Sequence, residues 1–211
     1  MEESTNIDLI EHLENSTGVL TPKLKEAVAE IHRADFVEED YRVEAYNDYP
    51  LPIGHGQTIS QPTIVVLMLS LLDPQKGDRI LDVGCGSGWT TVLLGYLVGK
   101  EGEVVGVDII EEFVEVARNR ANSYSEKAPN IAFFHCSEED AIYSDSFDRI
   151  LVSASLSDID RIPKRMFGGL KEGGVLVAPI LNDLVVLKKT GGEFEELKRF
   201  SETVRFVPYI G

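Results

Sequence analysis

The chain has 211 residues, an apolar fraction of 43% and a formal net charge of −16, from 36 acids against 20 bases. That length suits one α/β domain with additions and is enough to bury a full core. The acidic balance argues against nucleic acid as the main partner, because phosphate binding needs a basic surface, and it leaves any anionic ligand to local donors.

The cysteines are Cys85 and Cys136. They make no disulfide framework and read as small apolar fillers. No basic stretch followed by an apolar one opens the sequence, and no apolar run approaches the roughly 20 residues that span a bilayer. A cytoplasmic monomer without membrane contact is expected.

In chain order, helical spacing runs over 5–15 and 22–33, the second with Thr21 as N-cap and Pro22 in its first turn. Residues 40–59 read as a long irregular segment rich in Tyr, Pro and Gly, of the kind that is functional or mobile inside a compact domain. A helix is expected over 61–72. Strands near 79–83, 103–108, 131–135, 148–153 and 174–179 then alternate with helices near 89–99, 111–124 and 160–168. Such alternation means βαβ units and a largely parallel sheet. Leu184 to Lys189, Gly191-Gly192 and Phe194 to Val207 read as a hairpin. The expected fold is α/β: a Rossmann-like, doubly wound sheet, mostly parallel, with an antiparallel C-terminal hairpin and an N-terminal helical cap. One domain is expected over 1–211, with the cap and a substrate loop in 1–72 and a cofactor-binding sheet in 73–211.

The first chemical motif is Ile80-Leu81-Asp82-Val83-Gly84-Cys85-Gly86-Ser87-Gly88. An apolar strand runs into three alternate glycines, and a helix follows. Asp108, 20 positions after Gly88, ends the next apolar strand, Val104-Val105-Gly106-Val107-Asp108. Glycines permit close backbone approach, and a carboxylate at that strand end can accept hydrogen bonds from both hydroxyls of a ribose. A dinucleotide loop needs G-x-G-x-x-G; here the third glycine comes one residue early and Trp89 stands where a small residue is wanted. The plain alternative is that Gly84 and Gly86 only make a tight strand-to-helix turn. The D-x-G-x-G-x-G loop resembles motif I of S-adenosylmethionine-dependent methyltransferases. The resemblance implies that cofactor, with S-adenosylhomocysteine as product. Asp82 would serve its ammonium end and Asp108 its ribose, with Gly84, Cys85, Gly86, Gly88 and Ile109 alongside.

A second motif is Leu51-Pro52-Ile53-Gly54-His55-Gly56-Gln57-Thr58-Ile59-Ser60-Gln61-Pro62. It resembles the block that precedes motif I in protein-L-isoaspartate O-methyltransferases. Arg33-Ala34-Asp35-Phe36-Val37, Leu170 to Pro179 and Val204-Arg205-Phe206-Val207-Pro208 resemble further segments of that family, so the likeness runs from about residue 15 to 211. It implies methylation of the α-carboxylate of L-isoaspartyl residues in damaged proteins or peptides. It also implies a methyltransferase sheet whose last strands are arranged differently from most relatives. Ser60 matches the family's active-site serine. Thr58 and the backbone of Ile59 would lie beside the cofactor, and His55, Gln57 and Ser153 on the substrate side.

Two stretches depart from the pattern. Where the family shows G-D-G after the third parallel strand, this chain has Cys136-Ser137-Glu138, so Ser137 and Glu138 would face the adenine. Where it shows T-A-A-A-P, this chain has Ser153-Ala154-Ser155-Leu156-Ser157, which alters the substrate wall. The chain reads as a divergent member.

Carboxylate methylation is an in-line displacement by a nucleophile already ionised at about pH 7, so no strong general base is required and alignment supplies the rate. Ser60 could orient a carboxylate oxygen, or simply cap the helix that follows. His55 could act as a base, or be only a solvated loop residue. His12, His32 and His135 have no metal-ligand spacing, and no metal is expected. Two other functions compete. One is methylation of another substrate, such as a small acid or an RNA base; the N-P-P-[YF] motif of amino-group methylation is missing at Ser153-Ala154-Ser155. The other is a non-catalytic module that binds cofactor or damaged peptide, favoured by Cys136-Ser137-Glu138 and opposed by Asp82, Gly84, Gly86, Asp108 and Ser60.

Overall fold

The computed structural model describes residues 4–135 and 147–201. The chain starts with two helices, α1 (Asn6–Thr17) and α2 (Pro22–Glu30). Thr5 and Asp8 cap α1 reciprocally, and Gly18 closes it at φ 62°. The Thr21 hydroxyl accepts from Leu24 N at the start of α2, as its sequence predicts. This helix stops at Glu30 instead of continuing to residue 33. Ile31 turns extended, its carbonyl accepts from Trp89 Nε1 and His32 N donates to the Tyr124 hydroxyl. The turn carries Arg33 into the interior, where it is 0% exposed.

The segment expected to be irregular holds two structured pieces. A 3₁₀ turn covers Glu39–Glu44, and a small antiparallel hairpin is formed by β1 (Leu51–Gly54) and β2 (Gln57–Ile59). His55 and Gly56 make its turn with φ values of 50° and 70°. Positive φ at both central positions is the twist that suits a tight hairpin.

Next comes α3 (Pro62–Leu72), then β3 (Arg79–Val83), α4 (Trp89–Val98), β4 (Glu103–Asp108), α5 (Glu111–Ala121) and β5 (Ile131–His135). Acids in the first turn of α5 and Arg118 and Arg120 in its last turn match the helix dipole. The remaining elements are β6 (Phe147–Val152), α6 (Lys164–Gly169), β7 (Leu170–Ile180), β8 (Asp183–Thr190) and β9 (Glu193–Phe200). Helix α6 starts later than its periodicity predicts because Ile162, before Pro163, is held extended. Gly191 and Gly192, both at positive φ, turn β8 into β9. The expected continuation of that strand to Val207, with the Val204–Pro208 motif, lies outside the described residues.

The seven-stranded sheet has the order β5-β4-β3-β6-β7-β8-β9. Strands β3 to β7 are parallel, and β8 and β9 add an antiparallel meander in chain order. Alternating side chains serve opposite faces. Ile80, Val104, Leu151 and Val177 pack with α1 to α5. Leu81, Val105, Ile150 and Leu176 pack with Met166 of α6. Strand order reverses between β3 and β6, and in such sheets the ligand crevice opens beyond the carboxyl ends at that reversal.

Candidate active site

The glycine loop and Ser153 meet at this reversal. Ser153 N donates to Val83 O (2.8 Å), and a Cβ on Gly84 would lie 3.9 Å from Ser153. Gly84 N and Cys85 N both donate to Val107 O, folding the loop over the end of β4. At Gly88 φ is +95°, and a Cβ would lie 3.0 Å from that of Ala117, so only glycine lets α4 start against α5. A Cβ on Gly86 would meet Ile53 Cδ1 at 3.1 Å. The β1–β2 hairpin is therefore a roof resting on the loop.

Two carboxylates lie under and beside the loop. Asp82 is 0% exposed; it accepts from Thr91 Oγ1 (2.7 Å) and more distantly from Ser153 Oγ (3.4 Å). Burial pushes its carboxyl up to about 6. Asp108 accepts from Gly86 N (2.9 Å) with one oxygen and from Ile110 N (3.0 Å) with the other. Burial raises its carboxyl too, against the opposing pull of these backbone donors. Ile109 N also favours the charged form of this carboxylate. Among the described residues neither acid forms an ion pair. Cys85 is buried, as expected of a filler, and burial raises its thiol. Ile109, beside Asp108, is 42% exposed.

Ser60 follows β2 and precedes α3. It is half-buried, and its hydroxyl has no hydrogen-bond partner among the described residues. It does not cap the helix. Gln61 holds the N-cap position without a side-chain bond, and Asp48 supplies the cap from a distance. The Asp48 carboxylate accepts from Thr63 N (2.8 Å), Thr63 Oγ1 (2.7 Å) and Gln61 Nε2 (3.0 Å). These bonds, working against desolvation, hold the Asp48 carboxyl below its ordinary range.

Arg33 fixes the other side of Ser60. Nη1 donates to Ala45 O (2.7 Å), and Nη2 donates to Tyr49 O (3.1 Å) and Ser60 O (3.1 Å). Its guanidinium carbon lies 5.6 Å from the centre of the Trp89 ring, which begins α4. One buried cation thus ties the serine loop to the helix that leaves the glycine loop. Desolvation lowers the guanidinium to about 10, still charged near neutrality.

The other predicted residues scatter around this centre. Thr58 is exposed and Gln57 half-buried, on the hairpin roof. Ile59 is buried, and its carbonyl turns inward toward Arg33 (3.5 Å). His55 reaches outward from the roof: Nε2 lies 2.7 Å from Glu112 Oε2, and the ring stands edge-on to Phe113. Ser137 and Glu138 lie outside the described residues, as does Cys136. Among the described residues no His, Cys, Asp and Glu cluster could hold a metal ion. Sequence reasoning missed Thr91, Asp48 and the inward course of Arg33. Gly106 was the available signal for Thr91, since a Cβ there would meet Thr91 Oγ1 at 2.9 Å.

The model of the protein-L-isoaspartate(D-aspartate) O-methyltransferase family matches residues 4–211. The chain belongs to this family. It is 38% identical over 207 residues to a protein-L-isoaspartate O-methyltransferase of Aeropyrum pernix, covering 96% of this chain and 78% of that one. Its likeness to the Methanopyrus kandleri protein of the same name is 35% over 208 residues, 96% and 90% of the two chains. Among solved structures, a Plasmodium falciparum protein assigned as a protein-L-isoaspartate O-methyltransferase, crystallised with S-adenosyl-L-homocysteine, superposes with a TM-score of 0.80. That match is 27% identical and covers 98% of both chains. A second protein-L-isoaspartate O-methyltransferase structure superposes at 0.81 with 24% identity, over 98% of this chain and 66% of that one, and bears on the fold alone. The family match runs through both the glycine loop and the antiparallel strands at the sheet edge.

Proposed function

We propose that the chain transfers a methyl group from S-adenosylmethionine to the α-carboxylate of L-isoaspartyl residues in damaged proteins and peptides. The observation that carries the reading is the Ser60 hydroxyl, without a hydrogen-bond partner among the described residues, on a loop clamped against the helix of the glycine loop. The residues fit the cofactor. Asp82 and Asp108 are buried acids without an ionic partner among the described residues, beside a turn whose three glycines all adopt positive φ.

When bound, the cofactor supplies an electrophilic methyl on a sulfonium. Asp108, at the end of the strand beside the glycine loop, accepts from the ribose hydroxyls. Asp82, fully buried, acts on the cofactor's positive end through its field from beneath the loop. Gly84, Cys85, Gly86, Gly88, Thr58, Ile59 and Ile109 line the cofactor side, with Ser137 and Glu138 beyond the described residues. Ser60 donates to one substrate oxygen and so aims the other at the methyl, without removing a proton. Asp48 already occupies Thr63 N, so the anion is left to this hydroxyl and not to the helix terminus. His55, Gln57 and Ser153 frame the approach of the peptide. The net charge of −16 supports a protein or peptide partner over nucleic acid.

A peptide carrying one isoaspartyl residue, assayed beside its normal aspartyl twin, tests the reading. Methyl transfer is expected to the isoaspartyl peptide alone. Ser60→Ala should lower kcat by about 10–100-fold while the affinity for S-adenosylhomocysteine stays unchanged. Equal methylation of both twins, or of neither, rejects the repair function.

A further inference from the structure

Leu181 is strained and exposed at once. It opens the two-residue turn that joins β7 to β8, where Ile180 pairs with Asp183, and its φ is +57°. A tight hairpin turn with positive φ at its first position asks for glycine, and a bulky residue there is an outlier. Packing does not offset the strain, because the side chain is 63% exposed. Outliers of this kind gather at functional sites.

The turn is held in place. Leu181 N donates to Leu156 O (2.8 Å), Leu156 N donates to Pro179 O (2.9 Å), and Ser155 Oγ donates to Leu181 O (3.0 Å). The strap over 153–156 therefore runs from the glycine loop, where Ser153 abuts Gly84, to this turn. All of it lies at the carboxyl edge of the parallel strands. Helix α3 packs on β6, β7 and β8 and leads down to the start of β3, which puts Ser60 at the same edge. Two strand spacings separate β3 from β7, about 10 Å, the reach of two to three extended residues.

We infer that Leu181 is a specificity-determining residue: it offers an apolar contact to a substrate side chain about two positions from the isoaspartyl residue. Aliphatic or aromatic side chains at that place are preferred. The inference rests on the methyltransferase reading above and deepens it.

Steady-state methylation of two isoaspartyl peptide pairs tests it, each pair differing by Leu or Gly two residues before or after the isoaspartyl residue. The wild type should show a KM about 5–10-fold lower for the Leu peptide of one pair. Leu181→Gly and Leu181→Asn, both at ease at positive φ, should abolish that difference. Their kcat on the Gly peptide should stay within about twofold of wild type and their unfolding midpoints should not fall. A merely structural Leu181 would leave the KM ratio intact. A wild type that methylates all four peptides with equal KM, or variants that keep the preference, overturns the inference and leaves the methyltransferase reading standing. A wild type that methylates none of them overturns both.

Discussion

Asp108→Ala should weaken S-adenosylhomocysteine binding by about 100-fold or more in calorimetry. Two hydrogen bonds from ribose hydroxyls to a carboxylate are each worth about 1.5–3 kcal/mol, and about 1.4 kcal/mol is tenfold in affinity. The substitution also releases Gly86 N and Ile110 N, so the glycine loop loses its tether at the same time. Asp108→Asn keeps one acceptor and should fall between the two. In the wild type the affinity should also drop as pH falls below about 6. There Asp82, pushed up to about 6 by burial, takes a proton and loses its attraction for the cofactor's ammonium end. The sign is fixed: a positive ligand favours the ionised carboxylate, so binding releases a proton in this range. Unchanged affinity in Asp108→Ala would remove the ribose assignment.

Arg33→Met should lower the unfolding midpoint by about 8–15 °C in a circular-dichroism melt. The guanidinium serves the carbonyls of Ala45, Tyr49 and Ser60, and methionine serves none of them. Stranding buried acceptors costs about 1–3 kcal/mol each, part of which is recovered by removing a buried charge. A net loss of about 4 kcal/mol corresponds to that midpoint shift in a chain of this size. Arg33→Lys restores the charge but not the planar fork, and should recover only part of the loss. A midpoint within about 2 °C of wild type in Arg33→Met would mean that the loop is held by other contacts.

The parts of the fold that were legible are the local ones. Short apolar runs separated by helical periods predict βαβ units, and Gly191-Gly192 predicts the last hairpin, because each signal lies within the element it specifies. The β1–β2 hairpin escaped notice because its strands are only four and three residues long and Pro52 interrupts one of them. The turn at Leu181-Asn182 escaped because it lacks the glycine that its geometry demands. At the site, the glycine loop with Asp108 was readable from spacing alone. The cap alternative for Ser60 stayed open locally, because the residue that does the capping, Asp48, reaches Thr63 across 15 positions. Arg33 reaches Ser60 across 27, and no local pattern announces where a lone arginine turns inward.

The crystal structure of the protein with S-adenosylhomocysteine is the most direct measurement. The ribose hydroxyls should stand about 2.6–3.0 Å from the Asp108 carboxylate, the adenosine across the glycine turn, and the sulfur facing Ser60. An adenosine lodged elsewhere, with Asp108 still bonded only to its backbone donors, would contradict the account.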